Sequence, residues 1–580
     1  MYLPTTKEEA LRLGWDKLDI VIITGDAYID SPFIGAAVIG NYLAHYGFKV
    51  GVIAQPSIDT PNDIKRLGEP SLYWGVTAGS VDSMVANFTA TKKFRKQDDL
   101  TPGGINLRRP DRASIIYTNL IRSNFKNTKP IILGGIEASL RRIAHYDYWN
   151  DKIRRSILFD AKADAIVYGM GEKAALEIAQ KLSATSWTGE GEGVFKDIKG
   201  ICYSSSAPRE GYMDIPSFEE VSIDKNAFIE MFDIFYRNND PVTARGLYQR
   251  HGNRCLIQNP PQPNLTTAEL DEIYELSYER NLHPYYRNMG RVRAMDTITF
   301  SVTTHRGCYG ECNFCSIGMH QGRTVISRSE ESIIKEVENI TKLPGFTGFI
   351  ADVGGPTANM YGIECPRQAS TGACTGKRCL FPEICETLQL NHGRQIELLK
   401  KLRSIPGVKK IFVGSGIRYD MVVADKKSGN DYLNEIVEHH VSGQIKIAPE
   451  HCDEQILNLM GKPDTKSLKK FIAQFNDINK RLKKNQFMTY YFIAAHPGCT
   501  MQNMRHLKDF VSRELKLKPE QVQIFTPTPS CWSTVMYWTG INPFTGKPLF
   551  VEKNDHKKDI QKAVLKSKPI QPRRLYGKRK

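Results

Sequence analysis

Apolar runs of strand length alternate with amphipathic stretches along most of this chain, and glycines mark the joins. Residues 20–24 form a β-rich run that closes on Gly25-Asp26 and leads into a helical stretch at 35–46. Further runs follow at 49–53, 114–118, 130–133 and 163–168. The last two end in Gly134-Gly135 and in Gly169-Met170-Gly171-Glu172. Strand, glycine turn and helix in repetition predict a doubly wound parallel sheet, which binds ligands beyond the carboxyl ends of its strands. A second series places strands at 297–303, 348–353, 410–414, 444–448, 488–494 and 521–525. Amphipathic segments at 329–343, 394–405, 431–440, 465–484 and 500–514 separate them. Six such units predict a partial (β/α)6 barrel with its site at the strand carboxyl ends. The expected organisation is an α/β unit over 1–296, a barrel over 297–542 and a basic, disordered tail over 543–580. No repeat of solenoid length is present.

Composition narrows the class. At 580 residues the chain is long enough for several domains, and 41% hydrophobic with 24% charged residues is globular. No uncharged stretch is long enough to span a bilayer, and the first residues lack the basic and apolar regions of a secretory leader. A cytoplasmic protein with no membrane association is expected. The net charge is +16, and half of it lies between Glu552 and Lys580. A basic excess suits a polyanion such as RNA, because cations near phosphates release counterions. The same composition describes a solvated tail, and residues 569–580 read that way.

Of 12 cysteines, Cys308, Cys312 and Cys315 lie within eight residues, spaced C-x3-C-x2-C after the first barrel strand. Clustered cysteines in a cytosolic chain point to metal or catalysis rather than disulfides. Three soft thiolates can hold three irons of a [4Fe–4S] cubane and leave the fourth open to a cofactor. A structural zinc site usually takes four ligands in paired spacing, which this triplet does not offer. Cys365, Cys374, Cys379 and Cys385 follow in a segment broken by Pro366, Gly372, Gly376 and Pro382. They could hold Zn²⁺, hold an auxiliary iron–sulfur cluster, or remain free thiols. Cys202, Cys255, Cys452, Cys499 and Cys531 stand alone and read as small buried residues.

The segment from His305 to Cys315 resembles the signature of the radical S-adenosylmethionine (SAM) superfamily. That resemblance implies a [4Fe–4S] cluster on the triplet and SAM on the open iron, cleaved reductively to a 5′-deoxyadenosyl radical. It also implies an electron donor such as flavodoxin or ferredoxin. Gly354 and Gly355 stand where the superfamily's Gly-Gly-Glu-Pro-like turn meets the SAM amino group, although Pro356 and Thr357 replace Glu-Pro. Ser415 and Arg418, after the third strand, are candidates for the SAM ribose and carboxylate. His451 and His496 are candidate proton carriers at later strand ends. The first unit resembles the cobalamin-binding domain that precedes many such barrels. Its loop from Gly25 to Pro32 carries no histidine for cobalt, so cobalamin is not expected.

Stretches such as Gly25-Asp26-Ala27-Tyr28, Thr101-Pro102-Gly103-Gly104, His320-Gln321-Gly322-Arg323 and Tyr537-Trp538-Thr539-Gly540 resemble the YgiQ-type radical SAM proteins, a family without an assigned reaction. The expectation is a radical SAM enzyme of unknown substrate, RNA among the candidates. Two alternatives stand within the superfamily, a cobalamin-dependent methyltransferase and a tRNA methylthiotransferase-like enzyme. A third, of another class, is a non-catalytic zinc- and nucleic-acid-binding protein.

Overall fold

The computed structural model describes residues 1–566 except 186 and 188–190. Five strands of the first unit run parallel in the order Val50–Ala54, Ile20–Thr24, Tyr73–Thr77, Ile131–Gly134, Ala165–Val167. Ile201–Ser205, Arg254–Gln258, Leu247–His251 and Met213–Ile215 extend this into a nine-stranded mixed sheet. Alternation along each strand buries both faces. Val21, Ile23, Trp74, Val76 and Leu133 pack on one side, and Ile20, Ile22, Val50, Val52 and Ile132 on the other. The strand order reverses between Ile20–Thr24 and Tyr73–Thr77, and a doubly wound sheet opens a crevice at such a reversal.

The run at 114–118, expected as a strand, lies inside the helix Ala113–Asn124. Its buried positions Ala113, Ser114, Tyr117, Thr118 and Ile121 recur every three to four residues, and Thr118 Oγ1 donates to Ser114 O at 2.7 Å. The β-branched content of the run hid that helical period. The strand Tyr73–Thr77 takes the vacated place in the sheet.

The second unit has parallel strands at Ser301–Thr303, Asp352–Gly354, Lys410–Ile411, Gln444–Glu450, Phe487–Ala494 and Gln521–Ile524, with Phe349–Ile350 completing the second. The Ile417–Ile447 bridge joins the early strands to the later ones. Helices such as Glu330–Thr341, Gly393–Arg403 and Thr465–Arg481 cover the outside and bury one apolar stripe each. The expected strand over 297–303 is shorter, because Met295–Ile298 makes a helical turn before it.

The two units share a core. Trp532, Val535, Met536 and Tyr537 of the helix Trp532–Thr539 pack into the first unit, and Trp532 meets Phe232 edge-on at 4.8 Å. Arg306 donates to Glu172 at 2.6 Å across the boundary, with both side chains buried.

The basic segment after residue 542 departs from the expected disorder as far as it is described. Asp555–Lys566 is a helix whose Lys558, Gln561 and Leu565 are buried. Gln561 accepts from Ala495 N at 3.0 Å, and Lys558 Nζ donates to Tyr148 and Tyr537 at 2.9 and 3.0 Å. Its one buried stripe is narrow and partly polar, so the lysines dominate its composition. The expectation for 567–580 falls outside the described residues.

Candidate functional site

The three cysteines sit on a loop closed by a small antiparallel pair, His305–Arg306 with Ile326–Ser327. Gly307 opens the loop at φ +85°, where a Cβ would run into the Thr324 carbonyl. Glu311, between the first two cysteines, is held at φ +43° and accepts from Arg323 at 3.2 Å. Asn313 N donates to Met460 O at 2.8 Å, which anchors the loop's far side.

Donors approach two of the three sulfurs. Gly310 N donates to Cys308 Sγ at 3.3 Å, Arg418 Nη1 to Cys312 Sγ at 3.5 Å, and Thr357 Oγ1 lies 3.7 Å from Cys308 Sγ. Burial raises the Cys308 and Cys315 thiols, with the neighbouring Cys312 second in each case. A metal ligand must be a thiolate, so an iron centre would supply the positive charge that this burial withholds. Among the described residues, no three His, Cys, Asp or Glu side chains converge tightly enough for one metal ion. A cubane holds its thiolates further apart, at the corners of a cage. Three soft donors, two of them with hydrogen-bond donors at sulfur, fit such a cluster.

Gly354 ends the second barrel strand, and its carbonyl accepts from Thr304 N at 2.7 Å. Gly355 lies flat against the His305 ring, where a Cβ would come within 2.6 Å. His305 is fully buried, its Nδ1 hydrogen-bonds Thr304 Oγ1 at 2.9 Å, and its Nε2 has no partner. Asp352 fixes the third strand's turn by accepting from Gly414 N and Ser415 N at 2.7 and 3.1 Å and from the Ser415 hydroxyl. Arg418 is buried and bidentate with Asp420, at 2.9 and 2.5 Å. That ion pair holds the Asp420 carboxyl below its ordinary range despite burial. Arg418 thus faces a carboxylate of the protein and the Cys312 sulfur.

A cavity of about 510 Å³ lies between the two units. Asp26, Gly135 and Gly169 line it from the sheet, and His305, Gly355 and Ser415 from the barrel. The loop that begins at Gly25 contributes Asp26, which is buried and paired with Arg109 at 2.7 Å. Two histidines reach the cavity from the barrel instead, His305 and His320. Sequence reasoning missed both as site residues, although each stands in a stretch that carried the resemblance.

His451 and His496 are spent inside the fold. His496 bonds Ser533 Oγ at 2.6 Å and Pro497 O at 2.8 Å, and His451 Nδ1 accepts from Asp453 N at 3.0 Å. Burial pushes His305, His320 and His451 down to about 4, and His251 and His496 to about 3. An unfolded histidine protonates near 6.5, so below that pH the unfolded chain binds more protons. Stability is therefore fully present above about pH 6.5 and is lost as pH falls towards 4, at up to about 1.4 kcal/mol per pH unit for each histidine. Melting temperatures measured from pH 7.5 to 5 should fall steeply, and a flat profile would contradict the neutral, buried state of these rings.

The four later cysteines lie between Gly355 and the helix Gly393–Arg403, in a loop that packs on Tyr309 of the first loop. Cys365, Cys379 and Cys385 are buried together there, with Cys308 at the edge of the group. The Thr387 hydroxyl draws the Cys385 thiol down, and burial pushes Cys379 up to about 12.

Comparison with known proteins places the chain. A family model described as radical SAM N-terminal matches residues 2–301, and a domain of unknown function, DUF3362, matches 520–571. A UPF0313 protein of Fusobacterium nucleatum is 56% identical over 98% of this chain and 99% of its own. A UPF0313 protein of Thermotoga maritima is 49% identical over 96% of each. Among solved structures, the radical SAM methyltransferase TsrM of Kitasatospora setae, with cobalamin and a [4Fe–4S] cluster bound, superposes with a TM-score of 0.47. It is 14% identical, over 87% of this chain and 75% of that one.

Proposed function

Since the chain belongs to the UPF0313 family of radical SAM proteins, we propose that Cys308, Cys312 and Cys315 carry its cluster and that SAM lies between them and the Gly354-Gly355 turn. The chain is a radical SAM enzyme. When bound, a [4Fe–4S] cluster supplies the electron that splits SAM into methionine and a 5′-deoxyadenosyl radical. The protein's own part is binding, orientation and exclusion of water. Gly354 and Gly355 bring backbone close to the cofactor's amino group, and the buried His305 ring, against which Gly355 packs, supports that turn from behind. Arg418, balanced by Asp420, holds a positive charge beside Cys312. Ser415, fixed by Asp352, faces the same cavity.

The observation that carries this reading is the junction of the thiol loop with the cavity. Thr357 touches Cys308, and Gly355 and Pro356 before it line the cavity. The cavity suits a compact substrate with an apolar body, a more specific fit than the tail's charge gives to RNA. Radical SAM chemistry needs a reductant, and a flavodoxin or ferredoxin would serve. Among the described residues no helix is long and apolar enough to cross a membrane.

Reconstituted without oxygen and given dithionite and SAM, the protein should release 5′-deoxyadenosine and methionine in equal amounts. Iron-loaded protein that cleaves no SAM would overturn the proposal. Gly355→Ala should displace the His305 ring and raise the KM for SAM roughly tenfold, the size of one lost hydrogen bond, with iron content unchanged. An unaltered KM would remove Gly355 from the SAM site.

A further inference from the structure

A buried series of side chains behind Arg418 has no part in the site described above. Arg418 precedes the short helix Tyr419–Ala424, and one side chain grips its main chain on both sides. Asn359 Oδ1 accepts from Arg418 N at 2.8 Å, and Asn359 Nδ2 donates to Arg418 O at 3.1 Å. A backbone N–H can only donate and a carbonyl can only accept, so the amide is fixed in one orientation. Asn359 is fully buried and stands two residues after Thr357, which touches Cys308.

That orientation propagates inward. Asn359 Nδ2 also lies 3.1 Å from His392 Nε2. Because Nδ2 is a donor, Nε2 must accept, and the ring proton belongs on Nδ1. Nδ1 meets Asp425 Oδ2 at 2.7 Å, and His392 N donates to the same oxygen at 3.0 Å. The Lys427 and Ser428 amides donate to the other oxygen at 2.9 and 3.0 Å. Burial works against the Asp425 carboxylate, yet the bonds from His392 and Ser428 hold its carboxyl well below the ordinary range. Tyr432 stacks on the His392 ring with centroids 4.6 Å apart. None of Asn359, His392 and Asp425 lines the cavity between the two units, so none is placed to touch a ligand there.

Each group in this series has one bonding role, and a buried network satisfied in a single way fixes its last member. The last member is the Arg418 main chain. At the other end of that residue the guanidinium has little room. Nη1 is 3.5 Å from Cys312 Sγ, and a Cβ on Gly310 would come within 3.2 Å of it. Asp420 accepts from Nε at 2.9 Å. A cation so close to the triplet favours the reduced, more negative state of a cluster held there, and the effect falls with distance. We propose that Asn359, His392 and Asp425 are positioning residues, which hold the Arg418 guanidinium at Cys312 and thereby tune the reduction potential of the cluster. This rests on the reading of the triplet given above.

The test uses the full chain reconstituted without oxygen, with iron content and the cluster's reduction potential measured, the latter by a titration followed by EPR. Asn359→Leu removes the clamp and should lower the potential with iron content unchanged. His392→Phe keeps the stack on Tyr432 and loses both ring bonds, so it should lower the potential by a smaller amount. The double variant Arg418→Met, Asp420→Asn lacks the guanidinium and its counter-ion. In that background Asn359→Leu should produce no further shift. An unchanged potential in both single variants would overturn the proposal. So would an equal shift in both backgrounds, which would show a packing effect independent of Arg418. Should Asn359→Leu misfold, as circular dichroism would report, His392→Phe in the two backgrounds makes the same comparison. A crystal structure of the iron-free variant gives a readout without the cluster: the guanidinium should leave Cys312, and one that stays in place would overturn the proposal. If the triplet is misread, the wild-type chain forms no cluster on it while this displacement is still seen, which tells the two failures apart.

Discussion

Cys312→Ala should reduce 5′-deoxyadenosine formation to background while leaving the fold intact. Cys312 is half-buried, and the Arg418 guanidinium approaches its sulfur. Its neighbours are fixed without it: Asn313 N is anchored on Met460 O and Ser533 N on Asn313 O. Removing one sulfur therefore costs little packing. It does leave two thiols, which is too few to hold a cubane. A stable variant with wild-type turnover would mean that the triplet is not the site. Arg418→Lys gives a graded comparison. Lysine keeps the charge and loses the two-point grip on Asp420, so the cluster should persist with a shifted reduction potential.

Arg306→Met should destabilise the protein by about 3–5 kcal/mol, the cost of stranding a buried charge. Its partner Glu172 is buried at the start of the helix Glu172–Ala184, and one of its carboxylate oxygens already has no partner. Arg306 also bonds Tyr274 at 3.2 Å and ties the short strand at the head of the cysteine loop to the sheet unit. The double variant Arg306→Met, Glu172→Gln removes both charges and should recover most of the loss. Urea midpoints measure this directly. Equal damage in the single and double variants would show that packing, rather than the ion pair, carries the effect.

Much of this was readable from local pattern. The strands at Ile20–Thr24 and Phe487–Ala494 are apolar runs bounded by turn residues, and such runs declare themselves. The cysteine triplet stands out in the sequence because its spacing lies within one loop. What escaped depended on distant partners. Whether Arg418 is free for a ligand depends on Asp420, and Ser415 on Asp352, 63 positions away. His305 and His320 face the cavity only because the sheet unit folds over the barrel mouth. The helix Ala113–Asn124 misled because Ile115 and Ile116 lie beside its buried stripe and give the run a strand-like look, and Asp555–Lys566 because lysines surround a narrow stripe.

Three irons of the proposed cubane would each be held by one of Cys308, Cys312 and Cys315, which leaves the fourth open towards the Gly354-Gly355 turn. EPR of the dithionite-reduced protein, recorded with and without SAM, tests that most directly. SAM should change the g-values of the reduced cluster, and the change should be absent in the variant lacking Cys308, Cys312 and Cys315. A cluster that forms on the wild-type chain and keeps the same spectrum at saturating SAM would contradict it.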